Sequence, residues 1–304
     1  MSEASYQITS NPDGRVAPVA AEQTLLEALL AAGIPITHAC GGKARCSTCR
    51  VRVEDGVDAL CPRTDDESEM AEKLHFDDAT RLACRARVRG DATVRRLVLD
   101  DCDAALVACH GPDAIAGASG REEVVAILFS DVAGFTPLSE SLPPYDVIHL
   151  LNRWFLQAGE DVAAAGGHID NYMGDGLLAV FRGAACGLSA VRAGLAMLKT
   201  ADRVSEYTHQ LYDRPFAVRV GVHVGCVVIG DLGAAHNRRE TVIGDAVNIA
   251  SRIEAANKEA GTHLLVSESV MEEVRDHVET GCTHDLALKG KTGTFRLQEI
   301  TGLL

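Results

Sequence analysis

Residues 124–129 (VVAILF) form an apolar, largely β-branched and aliphatic run that stops at Ser130-Asp131 and turns through Gly134. Such a run has the character of a buried strand. Asp131 then stands at the strand's carboxyl end, where solubility alone would not put a carboxylate. Downstream, 168–173 and 177–181 read as two more strands joined at Gly174-Asp175-Gly176, where glycine relieves the steric limits of a tight turn. Asp175 occupies the tip. If these strands are neighbours in one sheet, two carboxylates converge on one spot. Hard oxygen ligands so arranged suit Mg²⁺ or Mn²⁺, with phosphate oxygens completing the shell. Each alone is also an ordinary turn aspartate.

A third segment, 240–254, opens as a strand and turn at Thr241-Val242-Ile243-Gly244 and continues as a helix. Asn248 and Arg252 lie four apart and share one helix face. An amide beside a guanidinium can hold the sugar and phosphate of a nucleotide, because the guanidinium brings a fixed charge and forked donors. The same pair would also serve as a plain polar surface. Between the segments, 146–165 shows helical spacing at Val147, Leu150, Leu151, Trp154 and Phe155, 187–211 is a second helix, and 216–229 returns as a strand.

Together FSDVAGFT (129–136), MGDG (173–176) and TVIGDAVNIASR (241–252), in that order, closely resemble the class III nucleotide cyclase catalytic domain, the family of adenylate and guanylate cyclases. The resemblance covers roughly 122–300 and implies a βαββαβ, ferredoxin-like palm. It also implies that Asp131, Asp175 and the backbone carbonyl of Val132 bind two Mg²⁺ or Mn²⁺ ions per active site. In that scheme the ribose 3′-hydroxyl attacks the α-phosphate in line with two-metal assistance, pyrophosphate leaves, and the product is a 3′,5′-cyclic nucleotide. Asn248 matches the asparagine that orients the ribose, and Arg252 the arginine that stabilises charge on the α-phosphate. Lys289, in Leu288-Lys289-Gly290-Lys291, resembles a lysine that contacts the terminal phosphates, although a basic turn is often merely solvated. Members of the family dimerise head to tail, with aspartates from one chain and Asn248 and Arg252 from the other, so a twofold homodimer is expected.

Base selection departs from the family's common pattern. Adenylate cyclases typically carry a lysine four residues before the second metal aspartate, and here that position is Asn171. The second selector, seven residues before the ribose asparagine, is Thr241, as in a bacterial adenylate cyclase subgroup. Guanylate cyclases usually have Glu and Cys at these places. A carboxamide both donates and accepts, so Asn171 can serve adenine N1 or a guanine edge. ATP is the expected substrate, with GTP the alternative.

The first third of the chain carries a different signal. Four of its ten cysteines fall in Cys40-Gly-Gly-Lys-Ala-Arg-Cys46-Ser-Thr-Cys49 and in Arg81-Leu-Ala-Cys84-Arg. Three thiolates in a glycine-containing loop with a fourth from a distant strand suit a [2Fe-2S] cluster. Five residues separate the first two cysteines, which resembles the adrenodoxin or bacterial ferredoxin variant of the β-grasp fold over roughly 5–99 and implies Cys40, Cys46, Cys49 and Cys84 as ligands. Structural zinc with four cysteines usually shows two CxxC pairs, and only Cys46 and Cys49 make one. Disulfides do not suit the polar start, which lacks an apolar signal sequence and points to a reducing, cytoplasmic setting. Arg45, Arg50, Arg81 and Arg85 flank the ligands and could offset cluster charge. Cys61, Cys102, Cys109, Cys186, Cys226 and Cys282 fit no ligand spacing and are expected mostly as small buried hydrophobes. The acidic stretch 64–78 resembles the helix on which such ferredoxins dock redox partners; a solvated helix face would look the same.

The predicted architecture is α+β, with a ferredoxin domain at 1–99, a linker at 100–121 rich in Asp, Ala and Gly, and a cyclase domain at 122–304. A chain of 304 residues with 47% apolar content is ample for two cores. A net charge of −14 argues against nonspecific binding to nucleic acid or an anionic membrane, and no run is long enough to span a bilayer. The expected protein is an adenylate cyclase with a redox centre that regulates it. The alternative from another class is a ferredoxin electron carrier whose cyclase half only dimerises.

Overall fold

The computed structural model of the chain describes residues 5–97, 120–233, 237–291 and 293–304. It divides into two compact units, Met1–Arg121 and Glu122–Leu304. Nearly all of the expected linker, 100–121, lies outside the described residues.

The first unit runs β1 (Ser5–Asn11), β2 (Arg15–Ala20), α1 (Leu25–Ala31), β3 (Arg50–Asp55), α2 (Asp65–Leu74), β4 (Thr80–Leu82) and β5 (Ala92–Arg96). Its sheet has the order β2-β1-β5-β3-β4, with β1 antiparallel to β2 and parallel to β5. This is the mixed sheet of the β-grasp fold. Period-two alternation buries Ala17 and Val19 of β2 and Val51 and Val53 of β3 against Leu25, Leu26 and Leu29 of α1. Helix α1 starts on a capping box: Thr24 accepts from the Glu27 amide while the Glu27 carboxylate accepts from that of Thr24. From Ala32 to Cys49 the chain forms no regular element. In a compact domain so long a loop usually binds something.

The second unit runs β6 (Arg121–Val132), α3 (Phe135–Ser141), α4 (Pro144–Ala164), β7 (His168–Met173), β8 (Gly176–Phe181), α5 (Cys186–Tyr212), β9 (Val218–Leu232), β10 (Arg239–Ile243), α6 (Asp245–Ala260), β11 (Leu264–Ser267), α7 (Glu268–Val274), β12 (Val278–Leu286) and β13 (Phe295–Leu303). The sheet order is β12-β13-β11-β9-β6-β8-β7, with β10 paired to β9. Strand β6 is central and covered on both sides. Ala126 and Leu128 pack with Leu150 and Trp154 of α4 and Ala190 and Val191 of α5. Val125 and Ile127 pack with Ala246 and Ala250 of α6. Burial of both faces is why 125–128 is apolar without alternation, whereas Val124 is exposed at the start of the run. The strand continues past Phe129, because Ser130 still pairs with Leu177 of β8. Helix α4 begins earlier than the apolar spacing suggests, since Pro144 at its first position brings a helical φ and lacks an amide that would go unpaired there.

Helix α6, which carries Asn248 and Arg252, rests on β9 almost backbone to backbone. A Cβ placed on Gly221 would lie 2.1 Å from the Glu254 nitrogen. Only glycine permits that approach, and it fixes the height of α6 over the sheet.

Candidate functional site

At the carboxyl end of β6, Asp131 meets Asp175 from the β7–β8 turn. The turn is as tight as the sequence suggests: Met173 pairs with Gly176, and Gly174 has φ 66°. The hairpin closes onto β6, so that a Cβ on Gly176 would lie 3.0 Å from the Ser130 carbonyl and 3.4 Å from Asp131 Oδ1. Burial, the charge of Asp175 and a hydrogen bond between the two carboxyls raise Asp131 to about 6. The backbone amide of Val132 and the charge of Arg219 oppose the rise. Two carboxyls that raise one another, only partly offset by the charge of Arg219, leave negative charge that a divalent cation would neutralise. Val132 is buried at the strand's last position. No three His, Cys, Asp or Glu side chains among the described residues form a metal-binding group. Carboxylate oxygens are hard ligands, so the pair fits ions that also take backbone and phosphate oxygens.

Helix α6 presents two faces to different surroundings. Glu254 looks toward the aspartates: burial first, then Asp131, raises it to about 7, with Asp175 adding to the rise and Arg219 opposing it. Arg252, two residues earlier and so about 200° round the helix, lies instead against the turn at Gly290, whose added Cβ would be 3.5 Å from Arg252 Nη2. Arg252 Nη1 is buried without a hydrogen-bond partner. An unpaired buried guanidinium nitrogen is costly unless a ligand arrives to accept from it. The basic turn is anchored through Leu288, buried with Ile253, Leu265 and Leu297. Lys289 is exposed at its tip, and Lys291 forms an ion pair with Asp245 at the start of α6. The structure thus joins Arg252 to the Lys289 turn and Asp131 to Asp175. Among the described residues no hydrogen bond or ion pair joins the first group to the second.

The two base-recognition candidates occur side by side. Thr241 of β10 donates to Oδ2 of Asp170 at 2.8 Å, and Asn171 of β7 accepts from Arg239 at 3.0 Å.

In the first unit the four cysteines form two thiol pairs. Burial pulls Cys40 up, but hydrogen bonds from Cys46 and from the amides of Arg45, Lys43 and Cys46 outweigh it and leave the thiol below its usual value. The Cys49 thiol donates to Cys84, which pushes Cys49 up and brings Cys84 down to about 7; the Ala44 amide and the Arg85 charge also favour the Cys84 thiolate. Loop amides aimed at sulfur are what a thiolate-held cluster requires. Positive φ at Gly41, Gly42 and Ala44 (67°, 79° and 55°) turns those amides inward.

Buried charge locks the loop to α2. Glu67, fully buried, accepts from Arg81 Nε at 2.9 Å, Arg81 Nη2 at 2.8 Å and the Leu82 amide at 2.8 Å. Asp66 accepts from Arg85 Nε at 2.6 Å, and Arg85 Nη1 donates to the Gly42 carbonyl at 3.2 Å. Arg81 is therefore engaged by Glu67, while Arg85 faces the loop. Glu67 is unavailable to a docking partner, although Asp65, Glu69, Glu72 and Asp78 remain exposed. Among the other cysteines Cys186 is buried and Cys61 half-buried, but Cys226 and Cys282 are exposed, contrary to expectation; Cys102 and Cys109 lie outside the described residues.

Five residues had no role in the sequence reading: Glu254, Arg219, Asp170, Arg239 and Lys291. Their partners are distant in the chain, so no local spacing marks them. A charged Glu254 two residues past Arg252 is the nearest thing to a signal.

A sequence model of the adenylate and guanylate cyclase catalytic domain matches 118–299, and one of the 2Fe-2S iron-sulfur cluster binding domain matches 8–89. An adenylate cyclase of Anabaena cylindrica is 36% identical over 169 residues, 55% of this chain and 34% of that one. Adenylate cyclase 1 of Rhizobium meliloti is 31% identical over 191 residues, 62% of this chain and 29% of that one. The chain thus spans about a third of the length of these relatives. The crystal structure of the guanylyl cyclase Cya2 is 29% identical with a TM-score of 0.57, covering 61% of this chain and 95% of that one. That of the adenylyl cyclase CyaB from P. aeruginosa is 27% identical with a TM-score of 0.55, covering 60% and 95%.

Proposed function

The chain belongs to the adenylate and guanylate cyclase catalytic domain family, with a 2Fe-2S domain ahead of it, and from that premise we propose that it converts ATP to 3′,5′-cyclic AMP and pyrophosphate under control of the cluster's redox state. The observation that carries the reading is the close approach of the β7–β8 turn, which bears Asp175, to Asp131 at the end of β6, where a Cβ on Gly176 would lie 3.4 Å from Asp131 Oδ1. These two and the Val132 carbonyl would hold two Mg²⁺ or Mn²⁺ ions, which supply Lewis acidity at the 3′-hydroxyl and neutralise triphosphate charge. Asn248 orients the ribose, Arg252 offers its unpaired nitrogen to the α-phosphate, and Lys289 meets the terminal phosphates. Asn171 and Thr241 face the base. The relatives named adenylate cyclase support ATP; the guanylyl cyclase among the similar structures keeps GTP as the second reading.

Because α6 turns Arg252 away from the aspartates of its own chain, the working site is composite, with Asn248 and Arg252 supplied by a second copy in a head-to-tail homodimer. Tyr172, Met173, Val228, Leu232 and Ile243 stay 40–54% exposed near the ends of β7, β9 and β10, apolar surface that a second copy would cover. Cys40, Cys46, Cys49 and Cys84 would hold the cluster, with a redox partner at the exposed carboxylates of 64–78. Thiolate ligation needs a reducing compartment, so we assign the chain to the cytoplasm. No helix among the described residues is long and apolar enough to cross a membrane.

The test is product formation by the iron-loaded protein with Mn²⁺ and ATP or GTP, before and after dithionite reduction. No product from either nucleotide sinks the cyclase reading, and equal rates in both redox states sink the regulatory one. Asp131→Ala and Arg252→Ala should each be inactive alone. Mixed in equal amounts they should recover about a quarter of full activity, since half the dimers are mixed and one of their two sites is intact. No recovery would exclude the composite site.

A further inference from the structure

On β3 the alternation that buries Val51 and Val53 turns Arg50 and Arg52 to the opposite face of the sheet, away from α1. Leu97 shares that face, since it stands two residues past Arg95, which pairs with Arg52. The chain returns over this face at the end of α2. His75 takes a left-handed φ of 55°, and the Phe76 amide donates to the Ala71 carbonyl at 2.8 Å, which seats Phe76 against the core. Between that turn and the strands lies a cavity of about 420 Å³ with Leu74, Phe76 and Leu97 in its wall. Small-molecule sites have volumes of about 300–1,000 Å³, and Leu74 is left 40% exposed beside this one. Charge in the wall is one-sided. Asp77 is its only carboxylate among the described residues, and both of its oxygens are taken: Oδ1 accepts from Thr80 Oγ1 at 2.6 Å and Oδ2 from Arg52 Nη1 at 2.9 Å. Arg63 brings a further guanidinium to the back of the turn, but it donates to the carbonyls of Asp77 and Thr80 rather than to a carboxylate. Arg50 has no hydrogen-bond or ion-pair partner among the described residues. A chain of net charge −14 has carboxylates to spare, yet none comes to it.

We propose that this cavity binds a small carboxylic acid with an aromatic or aliphatic body, its carboxylate on Arg50 and its body on Leu74, Phe76 and Leu97. A guanidinium offers a carboxylate two parallel donors, and beside an apolar wall such a charge-assisted pair is stronger than in open water. The body contributes by leaving water for that wall. Each half excludes a different competitor. An inorganic anion fills only the charged end, and a neutral hydrocarbon leaves Arg50 without a partner. Cations are repelled by Arg50 and Arg52. All of these residues belong to the first unit, so the site is independent of the nucleotide chemistry of the second.

The experiment titrates the full-length, iron-loaded protein calorimetrically with three probes: 2-naphthoate, 2-naphthalenemethanol, which has the same body without the charge, and inorganic phosphate. The acid should bind with a Kd below about 1 mM. The alcohol and phosphate should each bind at least about tenfold more weakly. Arg50→Gln should bring 2-naphthoate down to the level of the alcohol, while Arg50→Lys should keep part of the affinity, since lysine retains the charge but not the fork. Leu74→Asp should abolish binding of the acid and leave the cluster's visible dichroism unchanged. Arg50 and Leu74 are both exposed, so neither substitution threatens the fold. Absence of 2-naphthoate binding overturns the proposal, and so does binding that survives Arg50→Gln. Equal binding of phosphate and 2-naphthoate overturns it as well, because the apolar wall would then play no part.

Discussion

Asp131→Asn should stabilise the metal-free cyclase unit while abolishing turnover. Burial and Asp175 raise Asp131 from the ordinary 3.8 to about 6. At about 1.4 kcal/mol for each tenfold change in proton affinity, that is roughly 3 kcal/mol paid by the folded chain at neutral pH. Asp131 is only half-buried, and screening by solvent reduces the figure to about 1–2 kcal/mol. The sign follows from linkage. Below pH 4 the carboxyl is protonated in folded and unfolded chains alike, so there is no penalty. As pH rises through about 6 the folded chain loses a proton it holds more tightly, and stability falls. The isosteric amide does not ionise and escapes this loss. Trp154 is the single tryptophan of the chain and is buried in the second unit, so its fluorescence follows that unit alone. In EDTA at pH 7.5 the variant should melt roughly 2–8 °C higher, and the gap should close toward pH 4.5. Saturating Mn²⁺ should reverse the order, because only the unmodified pair binds it. Equal melting at pH 7.5 in EDTA, or a gap of the same size at both pH values, would refute the charge argument.

Glu67→Ala should destabilise the first unit by about 3–5 kcal/mol, since it strands the Arg81 guanidinium and the Leu82 amide in the core; loss of the cluster's visible dichroism on heating measures it, and a change below about 1 kcal/mol would be incompatible with the buried pair. Arg85→Gln should lower the cluster's midpoint potential, because the lost charge sits beside Cys84 and Cys40. A redox titration followed by electron paramagnetic resonance that is superimposable on the unmodified protein's rules this out. Lys291→Ala should raise KM for ATP several-fold with a smaller effect on kcat, because it frees the 288–291 turn from Asp245. Exchanging the two charges should restore part of the loss, and a KM indifferent to Lys291→Ala would show that the pair does not position the turn.

What was legible beforehand follows a physical line. Residues 124–129 announce a strand because β6 is covered on both faces, and Leu150, Trp154 and Phe181 lie where periodicity puts them because apolar burial is a local, repeating demand. The cysteine loop is legible for another reason: its thiols must be close along the chain to close around one cluster. Polar pairing obeys no such rule. Thr241 finds Asp170 across 71 residues and Arg239 finds Asn171 across 68, and neither partner carries a pattern of its own. Asn171 shows what that hides. From residue type alone an asparagine in place of a lysine leaves the base undecided, since a carboxamide offers both polarities. Once an obligate donor, Arg239, stands on its oxygen, half of that freedom is gone. The orientation of that carboxamide is thus set by a residue 68 positions away, which no inspection of position 171 by itself could reveal.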